Sequence, residues 1–232
     1  CLLPSIKMKS ISIKRTCNPA PVRFSRSVVQ TSNHLKNHNT VRNYATGLNA
    51  QLFANKIKHK GTIIYLHGVG TDDDQTAAFW SNFHSMFPHT RVIIPFAPER
   101  PFSIAEGQKM KIWYDMGNAT GEDENGLNES AGHIKEIIER EATLISPDKI
   151  LLFGFAQGGA VASYVTYTTP YTMLGCISMG GYVTTSLVMK DKIPEEAKKT
   201  PLFVFHGGND KMVPWQIAKK TYEKLEQVHH IP

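Results

Sequence analysis

The sequence predicts an α/β fold built on a mostly parallel sheet with helices on both faces. Two observations lead to this prediction. Short apolar runs alternate with helical patterns from Gly61 onward, and the runs lack the apolar–polar alternation of strands that face water on one side. Five strands are predicted, at residues 62–68, 91–95, 149–153, 173–179 and 201–207.

Four helices are predicted between and after these strands, at residues 75–87, 130–145, 157–168 and 215–227. Asp74 is the expected N-cap of the first helix. The second is amphipathic, with Ile134, Ile137 and Ile138 near one face. The acidic runs Asp72–Asp74 and Glu122–Glu124 are expected to be solvated loop or cap positions. Residues 96–128 are predicted to form a long loop.

The basic charge of the chain is concentrated in residues 1–44. They hold eight Lys or Arg and no acidic residue, whereas the whole chain has a net charge of +6. This composition, with the sequence Arg42-Asn43-Tyr44-Ala45, is typical of a mitochondrial transit peptide; a disordered basic tail on a cytoplasmic protein is the alternative. The predicted organisation is a leader at 1–44 and an α/β domain at 45–232.

The composition of the domain excludes several functional classes. Residues 45–232 hold 18 basic and 20 acidic residues, so no nucleic-acid partner is expected. No run of 18 apolar residues is present, and no transmembrane helix is predicted. The histidines and cysteines lack metal-ligand spacing, and no dinucleotide-binding glycine pattern follows the first strand, so neither a metal nor a cofactor is expected.

The sequence LLFGFAQGGA, residues 151–160, joins a predicted strand to a predicted helix through glycines. Gly154-Phe155-Ala156-Gln157-Gly158 has the spacing of a nucleophile elbow, G-x-S-x-G, in which a serine sits on a sharp turn. Alanine takes the position of the serine. We expect a positive φ at Ala156, a conformation that costs about 1–3 kcal/mol for a residue with a Cβ.

Five segments in order resemble the acyl-protein thioesterase and carboxylesterase family of α/β-hydrolases. They are LHGVG (66–70), PFAPERP (95–101), IWYDM (112–116), GFAQGGA (154–160) and FHGGNDKMVP (205–214). The resemblance runs from about Thr62 to the last residue and implies an α/β-hydrolase fold. Members of this family hydrolyse thioesters of S-acylated proteins, or small carboxylic and lysophospholipid esters.

The resemblance implies roles for residues around the turn. Ala156 occupies the nucleophile position, where a methyl group supplies no attacking oxygen. The backbone N–H groups of Val69 and Gln157 are the expected oxyanion donors. Asp210 matches the acid of a catalytic triad; a turn or capping role is its alternative.

The histidine of the triad has no evident counterpart. In the family it follows one more strand after the helix predicted at 215–227. His229 and His230 fall where that strand would begin and are not expected to act as the base. The hydrolase domain is therefore predicted to be truncated at its C-terminus, with an apolar sheet edge exposed.

The sequence offers few candidates for the residues that contact the substrate. Phe102, Ile112 and Trp113 are candidates for the lining of an acyl groove, and for Ile112 and Trp113 a place in the core is an equal alternative. The first functional hypothesis is a carboxylic ester or thioester hydrolase that is inactive in this chain because of Ala156. The second is a pseudoenzyme that binds acylated proteins or lipids without hydrolysis.

Overall fold

A computed structural model describes residues 39–45, 48–54, 57–117 and 122–231. Residues 1–38, which include most of the predicted leader, lie outside the described residues. The strands in the described ranges are β1 (Asn39–Ala45), β2 (Leu48–Phe53), β3 (Gly61–Leu66), β4 (Thr90–Pro95), β5 (Glu99–Phe102), β6 (Gln108–Lys111), β7 (Ile150–Phe155), β8 (Gly175–Met179) and β9 (Leu202–Phe205). The α-helices there are α1 (Asp73–His84), α2 (Glu124–Ala142), α3 (Gln157–Thr168), α4 (Thr185–Val188), α5 (Glu195–Lys198) and α6 (Trp215–His229).

Seven of these strands form one sheet in the order β1-β2-β4-β3-β7-β8-β9. In this sheet β4, β3, β7, β8 and β9 pair in parallel. β1 and β2 add two antiparallel pairings at one edge, β1 with β2 and β2 with β4. β5 and β6 form a separate antiparallel hairpin. The mostly parallel sheet predicted from the apolar runs is therefore confirmed.

Helices cover both faces of the sheet, as predicted. On one face α3 packs against β3, β7 and β8, and α2 packs against α3. On the other face Trp80 of α1 lies against Tyr65 and Phe153, at ring-centroid distances of 5.0 and 6.0 Å. The apolar side chains accordingly form two clusters, one on each side of the central strands.

Besides the short helices α4 and α5, which were not predicted, three parts of the fold differ from the sequence prediction. β1 and β2 were not expected, and their residues form strands because the edge of β4 offers an antiparallel partner to residues 50–53. β1 also extends across the predicted boundary between residues 44 and 45. The predicted loop at 96–128 contains the hairpin β5–β6 and the first turns of α2, which begins six residues earlier than expected.

The N-cap of α1 is Asp72, not Asp74 as predicted. The Asp72 side chain accepts a hydrogen bond from the backbone N–H of Gln75, at 3.0 Å. Asp73 and Asp74 instead occupy the first helical turn, where negative charge favours the positive end of the helix dipole. Asp123 caps α2 in the same way, through the N–H of Gly126.

β9 is the outermost strand at the other edge of the sheet. Phe203 and Phe205 on this strand are about half exposed, and so are Phe155 and Met179 in the same rows of the neighbouring strands. These four side chains form an exposed apolar patch near this edge of the sheet.

A buried carboxylate joins α2 to two central strands at the end opposite the elbow. The Glu141 side chain is fully buried, and its Oε2 accepts a hydrogen bond from the Thr62 hydroxyl at 2.9 Å. Its Oε1 lies 3.3 Å from Nη1 of Arg91. Both partners help to compensate the carboxylate for its loss of water.

We expect Glu141→Ala to lower the free energy of unfolding by about 2–4 kcal/mol, because it leaves Thr62 and Arg91 without this partner in the interior. Urea denaturation measures the change. Glu139→Ala, on the exposed side of the same helix, is the matched control and should stay within about 0.5 kcal/mol of the parent chain. Equal effects of the two substitutions would contradict this account of Glu141.

Candidate active site

Ala156 occupies the sharp turn between β7 and α3. Its backbone has φ 50° and ψ −117°, so the positive φ expected from the sequence is present. Its N–H donates to the carbonyl of Met179 at 2.9 Å, which ties the turn to the end of β8. The side chain is a half-buried methyl group, and no nucleophilic atom stands at the centre of the turn.

The turn is possible only because glycines flank it. A Cβ on Gly154 would lie 2.1 Å from the carbonyl oxygen of Gly158, and a Cβ on Gly158 would lie 2.2 Å from the carbonyl oxygen of Leu66. Both distances are far inside van der Waals contact. The chain therefore needs glycine at 154 and 158 so that α3 can start against the end of β3.

The loop after β3 passes directly beside Ala156. A Cβ placed on Gly68 would lie 3.4 Å from the Cβ of Ala156, and Val69 follows it. The N–H groups of Val69 and Gln157 do not donate to any acceptor in the part of the chain that the structure describes. The two predicted oxyanion donors thus flank the elbow position and are free to bind an external oxygen.

A buried histidine fixes this loop. Nε2 of His67 accepts a hydrogen bond from the N–H of Ala97 at 2.9 Å, and Nδ1 lies 2.7 Å from the carbonyl of Gly68. The ring must therefore be neutral and carry its proton on Nδ1, which donates to Gly68. Burial lowers the pKa of His67 below its ordinary value and favours this neutral form.

Trp113 and Gln157 connect the loop to the elbow. The indole N–H of Trp113 donates to the carbonyl of His67 at 2.8 Å. The Gln157 side chain accepts from the N–H of Trp113 at 2.9 Å and donates to the carbonyl of Tyr114 at 2.7 Å. The segment around Trp113 therefore connects the loop after β3 to the start of α3.

The three predicted pocket residues are all buried. Ile112 and Trp113 have no exposed surface, and Phe102 is 7% exposed. This burial favours the core alternative for Ile112 and Trp113, and none of the three lines the cavity described below. Trp113 instead contacts the loop and the elbow through its hydrogen bonds to His67 and Gln157.

Asp210 lies at the same end of the sheet as Ala156. Its Oδ1 accepts hydrogen bonds from the N–H groups of Met212 and Val213, at 2.9 and 3.0 Å. These bonds, the one from Val213 above all, lower the pKa of the carboxyl group. Its Oδ2 faces Gly180, whose added Cβ would lie 3.7 Å away. Gly180 directly follows Met179, whose carbonyl accepts the hydrogen bond from the N–H of Ala156. The Asp210 carboxylate therefore lies close to the elbow.

The histidines near this carboxylate have structural partners. Within the described ranges, His206 is the one histidine with a ring nitrogen within 4 Å of Asp210, with Nε2 at 3.6 Å from Oδ2. The same nitrogen donates to the carbonyl of Val213 at 2.7 Å and fixes the turn. His229 is buried, with Nε2 3.2 Å from the carbonyls of Leu187 and Val188, and His230 is the exposed C-cap of α6. Neither His229 nor His230 is placed to act as a base.

A cavity of about 510 Å³ opens beside the turn that holds Asp210. Met212 and Val213, whose N–H groups bind the carboxylate, also line this cavity. Its other walls include Met116, Glu122, Tyr182, Pro214 and Ile217. Sequence reasoning missed these residues as a group, because they come from three distant segments.

In the described ranges, no group of three or more His, Cys, Asp or Glu side chains is arranged to hold a metal ion. None of the helices described there is both long enough and apolar enough to cross a bilayer.

We expect Ala156→Gly to raise the free energy of unfolding by about 1 kcal/mol. Relief of roughly 1–3 kcal/mol of backbone strain should exceed the roughly 0.5–1 kcal/mol that glycine costs in conformational entropy. Ala160→Gly, inside α3, is the matched control and should lower stability. A loss of stability at both positions in urea denaturation would show that the turn at residue 156 is not strained.

We also expect His67→Gln to flatten the pH dependence of stability. Because burial lowers the pKa of His67 from 6.5, the unfolded chain binds this proton more readily than the folded chain. Stability of the parent chain therefore falls as the pH drops below about 6.5. Urea denaturation from about pH 7 to pH 5 measures the slope. The exposed His230→Asn should leave that slope unchanged, and an unchanged slope in His67→Gln would contradict a neutral, buried His67.

Known proteins of one family are similar to this chain over most of its length. The model of the phospholipase/carboxylesterase family matches residues 49–230. Acyl-protein thioesterase 1 of Schizosaccharomyces pombe is 34% identical over 182 residues, which cover 77% of this chain and 81% of that protein. Acyl-protein thioesterase 1 of Cryptococcus neoformans is 30% identical over 179 residues, covering 74% and 75%.

Solved structures show the same fold. Arabidopsis thaliana SOBER1 superimposes with a TM-score of 0.65 and 26% identity, covering 72% of this chain and 83% of that one. Zea mays acyl-protein thioesterase 2 gives a TM-score of 0.65 at 24% identity, covering 77% and 84%. With the strand order, the elbow and the family match in agreement, this chain belongs to the phospholipase/carboxylesterase family of α/β-hydrolases.

Proposed function

We propose that this chain binds the acyl group of a carboxylic ester or thioester beside Ala156 and hydrolyses it far more slowly than a complete triad would. The observation that supports this proposal is the elbow itself. The sharp turn with a positive φ and its flanking glycines are present, and the N–H groups predicted to be oxyanion donors have no acceptor in the described residues, whereas the side chain at the centre is a methyl group.

The chemistry of acyl transfer explains the expected loss of rate. An ester carbonyl must be attacked by a nucleophile that a base activates, and the resulting oxyanion must be stabilised. The N–H groups of Val69 and Gln157 would stabilise the oxyanion, but they supply neither a nucleophile nor a base. In serine hydrolases that lose the triad, a residual acceleration of roughly 10³–10⁴-fold over water remains. A kcat on the order of 1–10³ s⁻¹, usual for enzymes, would therefore overturn the proposal.

S-acylated proteins are the substrate class that we propose first. The relatives with 30% identity or more include proteins named acyl-protein thioesterase 1. Small esters and lysophospholipids are the second class, by the resemblance to carboxylesterases. The cavity beside Asp210 has mainly apolar walls, which suits part of either ligand.

Two versions of this function differ in what the elbow can still do. In the first, the site is a hydrolase frame that lacks a nucleophile and would work once one is supplied. In the second, the site is a pseudoenzyme that binds acylated proteins or lipids and has lost the geometry for catalysis. We favour the first, because the hydrogen bonds that hold the frame do not involve the side chain of residue 156.

Ala156→Cys separates the two versions. A thiol at the N-terminus of α3 should have a lowered pKa and attack without a separate base. The introduced thiolate would add to the carbonyl of an S-octanoyl-cysteine peptide, expel the peptide thiolate and keep the octanoyl group. We expect this transfer to be about 10²-fold faster than transfer to a cysteine in a short reference peptide, the range that oxyanion stabilisation provides.

The chain contains its own controls for this measurement. Cys17 and the buried Cys176 report background acylation in the same sample, and burial raises the pKa of Cys176 to about 11. Peptide mass spectrometry over a time course then gives a rate for each cysteine. Acylation at position 156 of the variant no faster than that of the reference peptide would favour the pseudoenzyme over the hydrolase frame.

A further inference from the structure

The cavity beside Asp210 has one charged group in an otherwise mainly apolar wall. Met116, Met212 and Ile217 supply apolar surface, and Glu122 supplies a carboxylate. The sequence suggested that Glu122 would be a solvated loop or cap residue. In the structure, Asp123 is the N-cap of α2, and the Glu122 side chain contacts Ser186 of α4.

Glu122 is held in place by neutral donors. Its Oε2 accepts two hydrogen bonds from Ser186, from the backbone N–H at 3.0 Å and from the hydroxyl at 2.6 Å. Within the described residues, no Lys, Arg or His nitrogen lies within 4 Å of either oxygen, and Oε1 has no donor. The carboxylate is therefore oriented but its charge is not compensated by a partner in the described part of the chain.

The surroundings of Glu122 add to the negative potential. Oε1 of Glu124 lies 3.4 Å from the Ser186 hydroxyl, so two carboxylates approach the same serine. Tyr182, which lines the cavity, responds to this charge. Burial raises the pKa of its hydroxyl to about 12, and Glu122 contributes to the increase. A cation at this position would be favoured by both carboxylates.

The cavity also lies next to the catalytic frame. The N–H groups of Met212 and Val213 hold Asp210, and both residues line the cavity. Tyr182 follows Gly181, whose added Cβ would lie 3.1 Å from the carbonyl oxygen of Ala156. A group bound in the cavity would therefore be close in space to an ester placed at the elbow.

We propose that this cavity binds a lysine or arginine side chain of the protein that bears the acyl group, with Glu122 as its counter-charge. The methylene stem of such a side chain would pack along Met116, Met212 and Ile217, and its N–H groups would donate to Oε1 of Glu122. This inference rests on the proposed function, because it specifies which acylated proteins the site prefers.

The polar groups of the cavity favour a peptide cation over a choline headgroup. A quaternary ammonium has no N–H to donate and is recognised mainly by aromatic faces. The cavity offers a carboxylate with an available oxygen and, among its described lining residues, a single aromatic one, Tyr182. A primary ammonium or guanidinium matches these groups better.

The test compares the binding of two peptides to the unmodified chain. Fluorescence anisotropy would compare two labelled peptides with a central S-octanoyl-cysteine. One carries lysine two residues away on each side, and the other carries norleucine, which has the same stem without the charge. We expect the lysine peptide to bind about fivefold more tightly, as befits one partly exposed ion pair.

Two substitutions assign this preference to Glu122. Glu122→Gln keeps an acceptor for Ser186 and should abolish the preference for lysine, with thermal unfolding confirming that the variant is folded. Glu139→Gln removes the same charge from an exposed position on α2 and should keep the preference. Equal affinity of the two peptides, or a preference that persists in Glu122→Gln, would overturn the inference.

Further arms separate this inference from the proposed function. Peptides with a free cysteine in place of octanoyl-cysteine test the acyl site. If they bind as tightly as the acylated peptides, the proposed binding of the acyl group is wrong. A lysine preference that depends on Glu122 would still support the cation subsite in that case. Absence of binding by every peptide would overturn both. Displacement of the lysine peptide by glycerophosphocholine, dependent on Glu122, would assign the cavity to a lipid headgroup and overturn the peptide assignment.

Discussion

The close approach of α3 to the end of β3 is the constraint on which the site depends. The carbonyl of Leu66 and the backbone of Gly158 lie so near each other that no Cβ fits between them, and Gly154 has the same relation to Gly158. The chain can make this crossing only by turning sharply at residue 156, with a positive φ. The same crossing places the loop after β3 beside the start of α3, and so creates a pair of free N–H groups.

The loops at this end of the sheet are held by side chains because they have no ladder of backbone hydrogen bonds. His67, Trp113 and Gln157 each bind a backbone group of another segment. Buried backbone groups without a partner would cost free energy, so these side chains are needed for folding as well as for the site. Residue 156 contributes only its backbone to this network. A change of the side chain at residue 156 would therefore leave this hydrogen-bond network in place.

Charge is distributed at the site in two distinct ways. The carboxylate of Asp210 is stabilised by two backbone N–H groups, as a residue that must remain ionised beside an active centre would be. The carboxylate of Glu122 is oriented by Ser186 but has no cationic partner in the described residues. The first is the residue that the sequence predicts to be the triad acid. The second belongs to the cavity wall and, in our proposal, lets this chain select among acylated partners.

The sequence by itself determined the features that short stretches of chain encode. The apolar runs predicted the five strands that pair in parallel, because strands of parallel sheets read as continuous apolar runs. The glycines around Ala156 predicted the elbow and its positive φ, since the turn is a local steric problem. Asp210 was predicted to be the triad acid because the whole segment 205–214 resembles the family.

Only the tertiary structure decided which distant groups meet. Ser186 lies 64 residues from Glu122, and Gln157 lies 44 residues from Trp113. Such hydrogen bonds follow from how the elements pack, and no periodicity or motif records them. The same reason explains why β1 and β2 were missed and why Trp113 could not be assigned. A strand of mixed polarity forms when an edge is available to pair with it, and a buried tryptophan acts as a wall or as a bridge according to the partners that the fold brings to it.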